Sequence, residues 1–354
     1  MKLDNIITIN NIELSKKYIQ SLSKEERLAL VKPIFDTLRE IGWVKPEIIP
    51  SEIHKSFNRL VEYKPDTSSY EIFNNSDIAT DICKHFCHEK FYSSTEKNKD
   101  NHFDIFNNDK KLTRVIQNRL GLDWIDADER GPGVNEAFNL THKMIQFQAP
   151  RSMRLVPSIS IFKPIVAKYM AMKYLPDGGT VYDYSAGWGG RLLGTIAAGK
   201  SNSKKYKYIA VDPNTATECN EIAKALQIDD QASVVNDVSE SFALEENSVD
   251  LAYSSPPYYT QEFYSADERQ AYNKGEDYYY NQYWYNTLAN CHKAVKPGGW
   301  FGLNVKNVPK MYDMAVDMFG VPTEEVQLET VRSHLNKTAG VKKYEAIYMW
   351  KLEK

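Results

Sequence analysis

From Val181 onward the chain alternates short β-rich apolar runs with helical stretches, and each run closes on an acidic or hydroxyl residue. TVYDYS, YKYIAVD, ASVVND and VDLAYS close at Asp183, Asp212, Asp237 and Ser255, spaced by 29, 25 and 18 residues. Spacings of this size suit a strand, its crossover and the next strand, so successive βα units of a parallel sheet are expected. After the turn signal KPGG (Lys296 to Gly299) come WFGLNV, the helical PKMYDMAVDMFG, EEVQLETV and YEAIYMW. The pattern predicts a doubly wound α/β domain of roughly 200 residues.

The preceding part of the chain reads differently. SKEERLALVKPIFDTLREIGW opens with an N-cap serine and a glutamate-rich first turn, and DKKLTRVIQNRLGL is a second amphipathic segment ended by Gly121. The polar YSSTEKNKDNHFDIFNNDKK between them reads as a loop, and DADERGPGVNE (126–136) as a linker or exposed loop. The division is therefore a mainly helical domain over 1–140 and an α/β domain over 141–354. No run of about 18 apolar residues and no charged-then-apolar start suggests a membrane span or signal peptide. The four cysteines are too few to frame a chain this long with disulfides, which suits a reducing cytoplasm. With a net charge of −3, a nucleic-acid partner must be met by a local patch.

The first strand runs into DYSAGWGGR, where Gly187 and Gly189 sit at a strand-to-helix turn and let backbone approach a ligand. Asp212 follows about 20 residues later, where a carboxylate can accept from both ribose hydroxyls. Asp237, closing the third strand, can meet the amino edge of an adenine. The loop is neither G-x-x-x-x-G-K-[ST] nor G-x-G-x-x-G, so a nucleoside without pyrophosphate suits it better than NAD or ATP. That points to S-adenosylmethionine. DYSAGWGG resembles the first motif of class I methyltransferases, D-x-F-x-G-x-G, with Ser185 where phenylalanine is frequent. The resemblance implies a Rossmann-like sheet and a cofactor held by Asp183, Ser185, Ala186, Gly187, Gly189, Asp212, Pro213 and Asp237. By the same resemblance RSMRLVPSISIFKPIVAKYMAMKYL is the helix before the glycine loop, with Phe162 and Lys163 near the cofactor's methionine end.

In YSSPPYYTQ, two prolines stop the fourth strand abruptly. Ser255-Pro256-Pro257-Tyr258 resembles the [SDN]-P-P-[YF] motif of amino-methyltransferases, which methylate an exocyclic nitrogen of a base. The chemistry explains the residue types. An aniline-like nitrogen is a poor nucleophile because its lone pair is delocalised into the ring. The Ser255 hydroxyl and Pro256 carbonyl can accept its N–H groups and favour a pyramidal nitrogen, while the prolines hold those acceptors rigidly. Tyr258 offers a stacking face for a flipped base. The resemblance implies a DNA methyltransferase, with serine leaning to N4 of cytosine ahead of N6 of adenine. An RNA methyltransferase, or a catalytically silent nucleic-acid-binding subunit, is the alternative. The implied setting is the cytoplasm of a bacterial cell or phage-infected host, with room for a restriction or accessory partner and no oligomeric state specified.

From His142 to Tyr174 there are six lysines or arginines and no acid, among them Arg151 and Arg154. VRSHLNKTAGVKK repeats the pattern with Arg332, Lys337, Lys342 and Lys343, and both stretches read as phosphate-contacting surfaces or solvated faces. Because the methyltransferase motifs leave little room between them, residues 1–140 are the candidate for target recognition. The tyrosine-rich segment after the prolines reads as a stacking lid or a core helix, the latter favoured for 278–288. CKHFCHE, with Cys83, Cys87 and His88, reads as a buried-cysteine helix, since no second Cys/His pair completes a metal site.

Overall fold

The βα alternation folds into one eight-stranded sheet. The computed structural model describes residues 4–73, 76–122, 139–157, 159–259, 263–305, 308–329 and 344–354. The stretch 126–136 and the basic residues Arg332, Lys337, Lys342 and Lys343 lie outside them. The strands are β1 (Thr8–Ile9), β2 (Ile12–Glu13), β3 (Glu71–Phe73), β4 (Gly179–Asp183), β5 (Tyr206–Val211), β6 (Ala232–Val235), β7 (Val249–Ser254), β8 (Val295–Asn304), β9 (Glu324–Glu329) and β10 (Tyr344–Lys351).

In the large sheet the order is β3-β9-β10-β8-β7-β4-β5-β6. β10 is antiparallel to both β8 and β9, and the other pairs are parallel. From β4 the chain winds outward through β5 and β6, then returns to β7 on the other side. The order reverses between β4 and β7, and a crevice opens at the carboxyl ends of strands at such a point. This is the class I, Rossmann-like doubly wound sheet expected from the sequence, accompanied by a largely helical amino-terminal part. KPGG does not separate two elements as expected. It lies inside β8, where the register with β7 slips between Val249 and Leu251.

Two helices bring the glycine loop into place. Pro164–Tyr174 and Gly190–Asn202 cross closely because both contact glycines lack a side chain. A Cβ on Gly194 would run into Ala167 and the Pro164 carbonyl, and one on Gly190 into the Phe162 carbonyl. The tyrosine-rich stretch packs into the core, as favoured for 278–288: Tyr279, Tyr280, Tyr283 and Trp284 are buried beside Phe301 and Leu303.

The chain divides into two compact units, one of Met1–Glu47 with Tyr92–Ile159, the other of Ile48–Phe91 with Ser160–Lys354. This differs from a break near residue 140, because 48–91 belongs with the sheet and even supplies its edge strand β3. In the first unit, helix Lys24–Ile41 starts with a capping box of Ser23 and Glu26 and ends at Gly42, whose φ is +75°. Its Val31, Ile34 and Leu38 join Leu112, Val115 and Ile116 of helix Asp109–Arg119 in one core. The segment expected as a loop contains a helix, His102–Asn107, begun by a second capping box between Asn101 and Asp104. Among the described residues no helix is long and apolar enough to cross a membrane.

Candidate functional site

Strand β4 delivers Asp183 not to a surface but to a fully buried position at its end. Its Oδ2 accepts from Arg191 Nε at 2.7 Å and from the Tyr208 hydroxyl at 2.6 Å. Its Oδ1 accepts from the Ser254 hydroxyl at 2.7 Å and from the Ser185 N–H at 3.2 Å. Arg191 also donates to the Ser185 carbonyl. One carboxylate therefore ties the loop after β4 to the last residue of β7, just before Ser255. Burial opposes the Arg191 charge, but Asp183 and its neighbours outweigh that and hold the guanidinium above its ordinary value. Asp183 does not line the cavity, so the structure gives it a positioning place beneath the loop rather than the ligand contact implied by resemblance.

Above this hub is a cavity of about 320 Å³ at the reversal between β4 and β7. Ser185, Ala186 and Gly187 line it from the glycine loop, and Phe162 and Lys163 from the segment ahead of helix Pro164–Tyr174. The Arg191 guanidinium sits 5.0 Å from the Phe162 ring centroid, and Lys163 pairs with Asp77. Gly187 takes a φ of +58°, which brings its N–H to Asp212 Oδ2 at 2.9 Å. Asp212 Oδ1 accepts from the N–H groups of Asn214 at 2.8 Å and Thr215 at 2.9 Å. Burial raises the Asp212 carboxyl above its ordinary value, against the pull of these N–H donors. Pro213 lines the cavity beside it, its carbonyl accepting from Arg269 at 2.9 Å. Gly189, φ +81°, starts helix Gly190–Asn202 and stays out of the lining.

Ser255, Pro256, Pro257 and Tyr258 line the same cavity. The Pro257 carbonyl accepts from the buried Tyr279 hydroxyl, which fixes the double proline to the core. Tyr258 is partly buried against that core. Asp237 departs from its expected place. Its Oδ1 accepts from the Val238 N–H at 2.8 Å and the Ser241 hydroxyl at 3.3 Å, closing its own turn, and it does not line the cavity. Glu240, three residues on, does line it.

The basic stretch 142–174 does not form a row of solvated cations. Lys168 is fully buried and donates to the carbonyls of Leu60, Val61 and Tyr63, closing the end of helix Pro50–Glu62, and burial lowers its ammonium to about 8. Lys173 donates to the Thr67 carbonyl and lies over the Tyr70 ring, and Lys143 pairs with Asp4. Arg151 and Arg154 are exposed in the first unit. Cys83 and Cys87 are buried, and burial is a main cause, with the neighbouring Cys219, of thiols raised above their ordinary value.

Sequence reasoning passed over Arg191, Glu240, Arg269, Tyr279 and Tyr283. Arg191 stood in plain view at the end of DYSAGWGGR. The others lack a motif of their own, and partners such as Tyr278 for Glu240, Pro257 for Tyr279 and Pro213 for Arg269 lie tens of residues away in the chain.

No family model and no curated protein matches this chain. Among solved structures it is similar to an S-adenosylmethionine-dependent O-methyltransferase from Thermotoga maritima, at 13% identity over 61% of this chain and 73% of that one, TM-score 0.37. A tRNA methyltransferase from Aquifex aeolicus is similar at 13% identity over 56% and 72%, TM-score 0.36. A geranyl diphosphate C-methyltransferase from Streptomyces coelicolor is similar at 13% identity over 52% and 78%, TM-score 0.35. At such scores the substrates of those enzymes say nothing about the substrate of this chain.

Proposed function

We propose that this chain transfers a methyl group from S-adenosylmethionine to an exocyclic amino nitrogen of a DNA base, N4 of cytosine ahead of N6 of adenine. The observation that carries the reading is one cavity lined both by Gly187 with Asp212 and by Ser255 through Tyr258. The residues suit the cofactor: Asp212 combines a buried carboxylate, able to accept from ribose hydroxyls, with a glycine that admits backbone contact. When bound, the cofactor supplies a methyl group on a positively charged sulfur.

The protein's own residues prepare the acceptor. The Ser255 hydroxyl has no partner among the described residues, nor has the Pro256 carbonyl, and both residues line the cavity. They accept the two N–H groups of the incoming base and localise its lone pair on nitrogen. Tyr279 holds the Pro257 carbonyl, so the acceptors are organised before the substrate arrives. The ring of Tyr258 supplies a face for the flipped base. Arg151 and Arg154 are the proposed phosphate contacts.

Mass spectrometry of nucleosides from DNA and RNA of cells expressing the chain tests this, beside a Ser255→Ala, Tyr258→Ala double variant. N4-methylcytosine or N6-methyladenine in DNA, absent with the variant, is the expected result. A mark confined to RNA would move the substrate, and no mark together with no cofactor binding by calorimetry would overturn the reading.

A further inference from the structure

Asn304, the last residue of β8, is only 3% exposed, and it lines the cavity. Its Nδ2 donates to the Ala346 carbonyl of β10 at 3.0 Å. A carbonyl only accepts, so this bond fixes which end of the amide is which and leaves Oδ1 as an acceptor on the other side. Oδ1 has no partner among the described residues and is not sealed from solvent. An unused acceptor on so buried a side chain calls for a donor.

Position tells where that donor would stand. β7 and β8 run parallel and are in register at Ser254 and Leu303. The next residues along the two strands are Ser255 and Asn304, about 5 Å apart at the spacing of neighbouring strands. Both line the cavity. Beyond them the described lining residues of β9 and β10 are Leu328 and Glu345, so the wall built by β8, β9 and β10 carries no lysine or arginine among the described residues. A wall of this kind receives N–H groups and offers nothing to a carbonyl oxygen or an anion.

We infer that Asn304 Oδ1 is a further acceptor for the target's amino group, beside Ser255 and Pro256, and that it makes the site select an amino-bearing base over its oxo counterpart. The inference rests on the proposed transfer to an amino nitrogen and adds the residue that enforces it. Ser255 alone discriminates poorly, because a hydroxyl turns to donate to a carbonyl as readily as it accepts from an N–H. Asn304 has no such freedom while its Nδ2 is held by Ala346. The N–H on the Ser255 side is shared between the two oxygens, as three-centre hydrogen bonds allow, and the other N–H goes to the Pro256 carbonyl.

The test uses duplexes of the site methylated in cells that express the chain. One carries the target base intact and the other its oxo counterpart, uracil for cytosine or hypoxanthine for adenine. Both are titrated by fluorescence anisotropy with the full chain and S-adenosylhomocysteine, the cofactor without its methyl group. The oxo base pairs poorly and leaves the helix more easily whichever protein is present, so the quantity read is how the amino-to-oxo affinity ratio changes between proteins. Asn304→Leu, close in size but without an acceptor, is expected to lower that ratio by about three- to tenfold, the range for one hydrogen bond. Asn304→Asp gives up the same bond to Ala346 but keeps an oxygen beside Ser255, so it should hold the ratio near wild type. An Asn304→Leu protein with the wild-type ratio overturns the inference. So does an Asn304→Asp protein that falls as far as Asn304→Leu, which would assign the effect to the lost Ala346 bond. If wild type methylates no DNA base, the proposed function itself falls, and that result is distinct from an active wild type whose selectivity ignores Asn304.

Discussion

Replacing Arg191 by methionine removes the charge that answers Asp183 while roughly keeping the volume. Asp183 is fully buried, the Arg191 side chain is 3% exposed, and their contact is 2.7 Å. Removing one partner of a buried pair leaves an uncompensated charge, at about 3–5 kcal/mol. Three donors would still reach the carboxylate, from Tyr208, Ser254 and Ser185, so the loss belongs near the lower figure. For a unit of this size each kcal/mol moves the melting temperature by about 2–4 °C, which gives a fall of roughly 6–12 °C. Scanning calorimetry of the full chain reads this in the transition of the sheet-bearing unit. Adding Asp183→Asn to Arg191→Met should recover most of the loss, because a neutral amide needs no counter-charge. The reasoning is refuted by a single variant melting within about 2 °C of wild type, or by a double variant no better than the single one.

Three other outcomes follow from the geometry. Tyr279→Phe removes the hydroxyl that holds the Pro257 carbonyl, so methyl transfer should slow while cofactor affinity stays unchanged, at about 1 kcal/mol of stability; affinity falling in step with rate would contradict the positioning role. Gly190→Ala drives a methyl group into the Phe162 carbonyl, so it should destabilise by about 1–3 kcal/mol and weaken cofactor binding through Phe162 and Lys163, as melting and calorimetry would report. In the first unit, burial lowers the His102 imidazole from 6.5 to about 4. The unfolded chain binds that proton first, so between those values stability falls as pH falls, by about 1.4 kcal/mol per pH unit. His102→Asn should flatten that part of the acid profile, and identical slopes in the two proteins would count against it.

Features set by near neighbours in the chain are legible in the sequence itself. Ser23 and Glu26 form the expected capping box, since both partners lie within one helical turn. The strands end within a residue or two of the acids and serines that mark them, because βα spacing is a property of chain length. Features set by distant neighbours are not legible in this way. β3 is three residues long, and its pairing with β9 joins positions some 256 apart, as Glu71 and Gln327 show. Lys168 looks like a surface cation by type, yet three carbonyls about a hundred residues upstream take it into the interior. KPGG reads as a turn in any local window, yet within β8 it fills the register slip opposite β7, and Gly298 and Gly299 bond to the backbone of distant Leu352.

The same division holds at the cavity. The sequence alone determined that a glycine loop, an acid after the second strand and a double proline after the fourth would meet, because parallel strands place all their carboxyl ends on one edge. Which carboxylates face the cavity was decided by tertiary structure. Asp183 is drawn under the loop by Arg191 and Tyr208, and Asp237 is consumed by its own turn. Glu240 reaches the cavity lining instead, with one oxygen accepting from Tyr278 and the other shielded. A carboxylate's partner depends on which donor the fold brings within about 3 Å, and that distance is fixed only when the whole sheet and its helices have packed.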